Sequence, residues 1–245
     1  MPPLSLHVSR GCRGMMRPAL SCIRPSAALR HPPRPAISDC ILIFVRAPEA
    51  GRVKTRLAAE IGAGAALRVY RRLAEHAVAE ARAVSASVAL RIHFTPADEA
   101  PAVRRWLGGG AEYVPQTGGD LGARMHAAFE AAFAAGHRRV VIIGSDLPGL
   151  TAGLLRDAFH RLDHHPVVLG PARDGGYYLL GLRQMVPPIF RDIAWSTGEV
   201  FAATVERLAA LGITPALLPE MADVDVAADL PDGWRAWARE GAEAA

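Results

Sequence analysis

The 245-residue sequence has almost no lysine. Of its 28 lysine and arginine residues, only Lys54 is a lysine. A composition that uses arginine wherever a cation will serve makes a lone ammonium a candidate for work suited to a compact point charge, such as gripping a phosphate. Chance survival of one lysine is the alternative. Cysteine is equally sparse. Cys12, Cys22 and Cys40 are too few and too N-terminal for a disulfide framework or a zinc ribbon. No apolar run approaches the ~20 residues of a membrane span. No HExxH spacing occurs among the nine histidines, and no Ser/His/Asp or Cys/His arrangement follows from spacing. A P-loop is excluded as well. Aligning GxxxxGK[ST] on Lys54-Thr55 puts Val53 and Pro48 where glycines are needed.

Acid is missing from one region. Residues 1–38 hold six arginines and no aspartate or glutamate. The formal charge of +4 therefore becomes −2 over the remainder. The basic balance belongs to this leader, so the folded part gives no general reason to expect nucleic-acid binding. The leader is Pro- and Arg-rich, has no periodicity and no aromatic residue, and lacks the apolar core of a secretory signal. Its composition is transit-like, but a disordered leader, or a start upstream of the true one at Met15 or Met16, is the plainer expectation. A cytoplasmic location follows from the missing secretory signal.

What is present is a globular composition, 51% hydrophobic and 21% charged, in a chain long enough for one large α/β core. A single domain is expected over 39–245. Apolar β-rich runs at 40–45, 87–94, 111–115, 139–144, 166–171, 177–182 and 213–220 read as strands. Helical patterns fill 60–84, 97–107, 124–136, 151–162 (Thr151 as N-cap), 195–211 and a last segment with Trp234 and Trp237. The alternation predicts a mainly parallel sheet covered by helices on both faces.

Ligands of such sheets bind beyond the carboxyl ends of the strands, and four loops there are rich in polar residues. RAPEAGRVKTRL (46–57) offers Arg46, Arg52, Lys54 and Arg56 to a polyphosphate, with Gly51 allowing close backbone approach. A solvated basic loop would look the same. GSDLPGL (144–150) puts Asp146 directly after the most apolar strand, where a carboxylate can hold a hard divalent cation. A cap or turn residue is the plainer alternative. The segment does not match GxSxG, so Ser145 is not a nucleophile on a strained elbow. GPARDGGYYLLGL (170–182) combines Asp174, Gly175, Gly176 and Tyr177 in a ligand-facing or merely tight turn. DVDVAADL (223–230) alternates Asp223 and Asp225 as an extended segment would, so at most one of them is expected to join a metal site. Asp229 is expected in the helix that follows. TGGDLG, with Gly119 and Asp120, could cradle an anion at a helix start or be plain connection. WSTGEV offers Ser196 and Thr197 first as helix caps and Trp195 as a substrate wall.

FVRAPEAGRVKTRL, GGDLGARM, IGSDLPGL, GPARDGGYYLLGL, WSTGEV and DVDVAADL occur in this order. Together they resemble a bacterial family of GT-A-like glycosyltransferases associated with radical-SAM and selenium-domain proteins, from about Cys40 to Leu230. More distantly the pattern is similar to phospholactate guanylyltransferase and molybdenum-cofactor guanylyltransferase. The resemblance implies a GT-A fold: a Rossmann-like α/β/α sandwich with a mixed, mostly parallel sheet that binds a nucleotide at its carboxyl edge. It implies Mg²⁺ (or Mn²⁺) on Asp146 and Asp225, with Asp223 as the fallback, and phosphates on Arg52, Lys54 and Arg56. It also implies nucleotide or acceptor contact by Asp174, Gly175 and Gly176.

Two departures qualify the reaction type. A sugar-transferring DxD is replaced by the single aspartate of Ser145-Asp146-Leu147-Pro148, which leans towards nucleotidyl transfer. The nucleotidyltransferase opening Gly-x-Gly-x-Arg is replaced by PEAGRVKTRL. The expected partners are a nucleotide donor and a small-molecule acceptor, not nucleic acid or membrane. The rival from another class is a non-catalytic nucleotide-binding or scaffold protein on the same fold. Retention of the basic loop and both acidic motifs speaks against it. A loop lysine buries little, so Lys54→Ala is expected to weaken nucleotide binding at little cost in stability.

Overall fold

In the computed structural model, which describes residues 39–240, seven strands form one sheet. They are β1 (Asp39–Arg46), β2 (Ala89–Thr95), β3 (Glu112–Pro115), β4 (Arg139–Ile143), β5 (Val167–Pro171), β6 (Tyr177–Leu182) and β7 (Ala216–Leu217). The order is β3-β2-β1-β4-β6-β5-β7. Only β6 runs antiparallel to its neighbours. Cys40 to Ile43 are fully buried, as expected for a strand covered on both faces. The disordered leader expected over residues 1–38 lies outside the described residues.

Seven helices flank the sheet among the described residues: α1 (Thr55–Ile61), α2 (Ala63–Arg82), α3 (Ala100–Leu107), α4 (Leu121–Ala134), α5 (Ala152–Leu162), α6 (Val200–Ala210) and α7 (Trp234–Glu240). One face packs Ile41, Ile43, Ala77, Val103 and Leu155 into a core. The other packs Leu42, Phe129, Phe190 and Leu208. A third cluster, with Leu57, Val69, Leu73, Val224 and Ala238, seats α1, the 224–227 segment and α7 against α2.

The order reverses at β1, which pairs with β2 on one side and β4 on the other. β1 and β4 are adjacent and parallel, so the loops that follow them meet at the same carboxyl edge of the sheet, where ligands of such sheets bind.

Several boundaries differ from the sequence pattern. The helix expected over 60–84 is two helices, α1 and α2, divided at Gly62 with φ 91°. Helix α4 starts at Leu121 rather than 124, because the Asp120 carboxylate accepts from the Ala123 N–H at 2.8 Å and caps it. Thr151 caps α5 as expected, accepting from the Leu154 N–H at 3.1 Å. The strand expected over 213–220 pairs only at Ala216–Leu217. Residues 195–199 are not helical, and α6 begins at Val200.

Candidate active site

A cavity of about 580 Å³ opens at the carboxyl ends of β1 and β4. Arg46, Arg52, Lys54 and Arg56 line it from the first loop, and Asp146, Asp174, Asp223 and Asp225 from three others. Tyr177, Trp195, Ser196, Thr197 and Gly176 complete the far wall. Of the residues singled out in the sequence, Gly51, Gly119, Asp120 and Gly175 do not line it. Gly51 has φ 77° in the turn where the Arg52 N–H donates to the Glu49 carbonyl at 3.1 Å. Its lack of a side chain serves that left-handed turn.

The first loop is fixed at both ends. At its start, the Tyr70 hydroxyl accepts from the Arg46 N–H at 2.7 Å and donates to the Arg46 carbonyl at 2.8 Å. Burial raises the Tyr70 pKa, and the negative charge of Asp146 pushes the same way. The phenol therefore stays protonated and can donate. Tyr70 lines the cavity too. No motif marked it; its one sequence signal is a hydroxyl on the apolar face of α2.

At the end of the loop, Lys54 has a left-handed backbone, φ 47° and ψ 51°, a conformation uncommon outside glycine, asparagine and aspartate. Its side chain turns inward and is 5% exposed. Nζ lies 2.7 Å from Asp146 Oδ2 and 3.9 Å from Asp225 Oδ1. Arg56 Nη1 donates to Asp225 Oδ2 at 2.6 Å. Arg52 pairs with Glu49 in solvent. Arg46 forms no salt bridge among the described residues.

Asp146 is held by its neighbours. Ser145 Oγ donates to Asp146 Oδ1 at 3.2 Å, and the Val224 N–H donates to the Asp146 carbonyl at 3.1 Å. The second bond draws the acidic C-terminal segment against β4. That segment is pinned at Asp225 by a later carboxylate. Asp229 Oδ2 accepts from the N–H groups of Asp225 and Val226 at 2.9 and 2.8 Å, within a 3-10 turn over Ala227–Asp229. Asp229 thus shapes the loop instead of joining the last helix. Asp223 and Asp225 both line the cavity, although a regular strand would send their side chains to opposite faces. Asp223 is half-buried. Burial raises its pKa, and the charges of Asp174 and Asp146 add to the rise against the opposing pull of Lys54.

The far wall is shaped by glycines. Asp174 Oδ1 accepts from the Gly176 N–H at 2.8 Å, closing the turn between β5 and β6. Gly175 has φ 85°, and a Cβ there would run into the Gly198 carbonyl. The Gly175 carbonyl accepts from the Phe201 N–H at 2.9 Å, so this turn and the WSTG segment interlock. A Cβ at Gly122 would lie 2.5 Å from the Trp195 ring, so the indole rests on the start of α4. Ser196 and Thr197 do not cap α6. Thr197 Oγ1 donates instead to the Ala194 carbonyl at 2.7 Å, and Ser196 has φ 64°.

The donor set suits a hard divalent cation. Asp146 and Asp225 aim carboxylate oxygens at one positive charge. No ready-made group of three or more His, Cys, Asp and Glu ligands is present among the described residues. Mg²⁺ commonly binds one or two carboxylates, keeps several waters and completes its shell with substrate phosphates.

Residues 78–197 match DUF2064, described as an uncharacterized protein conserved in bacteria. A crystal structure from Desulfovibrio desulfuricans G20, provisionally named a nucleotide-diphospho-sugar transferase, is 33% identical. The similarity covers 84% of this chain and 95% of that one, with a TM-score of 0.75. CMP:2-keto-3-deoxy-manno-octonic acid synthetase complexed with CTP is 16% identical, covering 83% of this chain and 100% of its own, with a TM-score of 0.51. The 4-diphosphocytidyl-2C-methyl-D-erythritol synthase of Anaerococcus prevotii DSM 20548 is 10% identical, covering 84% and 96%, with a TM-score of 0.53. These last two share the fold alone. The architecture is thus the α/β fold of nucleotide-diphospho-sugar transferases and nucleotidyltransferases. No curated protein matches the chain in sequence. No helix among the described residues is long and apolar enough to cross a membrane.

Proposed function

We propose that this chain, which belongs to the DUF2064 family of bacterial proteins, is a metal-dependent transferase with a nucleotide donor. The observation that carries the reading is one cavity in which a cationic loop faces Asp146 and Asp225 at the topological switch of the sheet. Cations meet phosphates, and the paired carboxylates meet a hard metal. A scaffold would need neither.

Asp146 and Asp225, with Asp223 beside them, would hold Mg²⁺ or Mn²⁺. When bound, the metal neutralises charge on donor phosphate oxygens. The residues of the chain do the rest. Arg46, which forms no ion pair among the described residues, binds and neutralises the departing diphosphate or pyrophosphate together with Arg52 and Lys54. Asp174, Gly176, Tyr177, Trp195, Ser196 and Thr197 orient the acceptor against the reacting centre. Catalysis of this kind is positioning and charge neutralisation, with no protein nucleophile. The name of the 33% relative favours a nucleotide-sugar donor. The single aspartate after β4, in place of a DxD triad, favours a nucleoside triphosphate and nucleotidyl transfer.

Thermal shift of the purified protein against nucleoside triphosphates and nucleotide sugars, with and without Mg²⁺, separates these readings. A donor at a hundred times its Kd adds about 2.7 kcal/mol of stability. Mg²⁺-dependent stabilisation by a nucleotide sugar is expected for glycosyl transfer, and by one triphosphate for nucleotidyl transfer. A folded protein that responds to neither would refute the proposal.

A further inference from the structure

Lys54 is asked to serve the phosphates, yet it is bound to the carboxylates assigned to the metal. Its left-handed backbone turns the side chain inward, while the neighbouring Arg52 and Arg56 side chains remain largely exposed. The ammonium sits 2.7 Å from Asp146 and 3.9 Å from Asp225. A divalent cation would need oxygens of the same pair at about 2.1 Å. A dication on those oxygens would lie against a buried ammonium, and the like charges would repel.

We infer that Lys54 and the divalent cation are alternative occupants of the Asp146–Asp225 pair, and that donor phosphate draws the ammonium away and opens the pair to metal. This rests on the metal-and-nucleotide reading above and adds an order to it: phosphate first, or phosphate and metal together. Whatever factor phosphate adds to metal affinity, metal must return to phosphate. The choice of lysine fits. A guanidinium would lock a carboxylate through two parallel bonds, whereas an ammonium on a flexible stem makes a point contact it can exchange.

A single lysine permits a direct test. Protein labelled with ¹³C,¹⁵N-lysine has one lysine side-chain signal, and it reports Lys54 in the full chain. Pyrophosphate without metal is expected to shift it, and Mg²⁺ without phosphate to leave it in place. An unmoved signal at saturating pyrophosphate would overturn the inference. Mn²⁺ binding followed by electron paramagnetic resonance supplies the second reading. Lys54→Met is expected to take up Mn²⁺ without phosphate about tenfold more tightly than wild type, within the usual range of site coupling. Lys54→Gly, which suits the left-handed backbone, should do the same if the methionine variant folds poorly. Arg46→Met removes an equal charge from the cavity and should change Mn²⁺ affinity less. Equal affinity in wild type and both Lys54 variants, or an equal gain in Arg46→Met, would overturn the inference and leave the transferase reading intact. Failure of every protein to bind Mn²⁺, even with the nucleotide panel, would overturn both.

Discussion

The two sides of the cavity are built differently. On the side of β1 and β4, charged side chains make the site: Lys54, Arg56, Asp146 and Asp225 meet tip to tip. On the side of β5 and β6, backbone makes it: Gly175 lies against Gly198, and the Trp195 ring against Gly122. A side made of charge should lose function on isosteric neutralisation while keeping its fold. A side made of backbone should lose stability on addition of a single methyl.

The largest effect expected is on the charged side. Asp146→Asn should reduce metal-dependent transfer by about 10²–10³-fold, the scale of removing one preorganised electrostatic group. Its melting temperature should fall by only a few degrees, because the side chain is 40% exposed and the amide oxygen still accepts from Lys54. A fully active variant would take Asp146 out of the metal site. On the backbone side, Gly175→Ala combines an unfavourable φ with a collision against main chain and should cost about 3 kcal/mol in urea unfolding. A neutral result would mean the two turns are not interlocked.

A third test reaches the core beneath the charged side. His93 on β2 is 4% exposed, its Nε2 has no partner among the described residues, and burial lowers its pKa to about 4. The unfolded chain, at about 6.5, binds the proton more readily. Stability from this group is therefore full above pH 6.5 and falls as pH drops towards 4, by about 2 kcal/mol at pH 5. His93→Phe should flatten that part of the stability–pH curve, and an unchanged slope would assign it elsewhere.

The smallest effect is that of Lys54→Ala on stability. A loop lysine was expected to bury little, but this one is packed against Asp146. Roughly 1 kcal/mol should be lost as the ion pair goes, beside weaker nucleotide binding. No change in affinity for any nucleotide would return Lys54 to a purely structural role.

Much of this arrangement is legible in the sequence. The apolar runs at β1, β4, β5 and β6 announce a buried sheet, and the loops after them carry Asp146, Asp174 and the cations to one edge. What the pattern hides depends on distant partners. The burial of Lys54 needs a left-handed residue before α1 and two carboxylates from loops about ninety and 170 positions away. Asp223 and Asp225 read as alternating because nothing in the local pattern shows that both residues line one cavity. Tyr70 sits within an ordinary amphipathic helix, and its contact with Arg46 follows from how α2 crosses β1. Gly62 splits a continuous helical pattern because neither its composition nor its spacing distinguishes a break from a tolerated glycine.

The contact between Gly175 and Gly198 bears on how a cavity of this kind can diversify. Where these main chains touch, a side chain at Gly175 would collide with the Gly198 carbonyl, whereas one at Gly198 would only press on the Asp174 carbonyl at 3.2 Å. Acceptor preference therefore has few routes of change at the turn itself. On the proposed reading, adaptation to a new acceptor would fall to Tyr177, Trp195, Ser196 and Thr197, so exchanging those four positions between homologues is the direct way to test whether they set specificity.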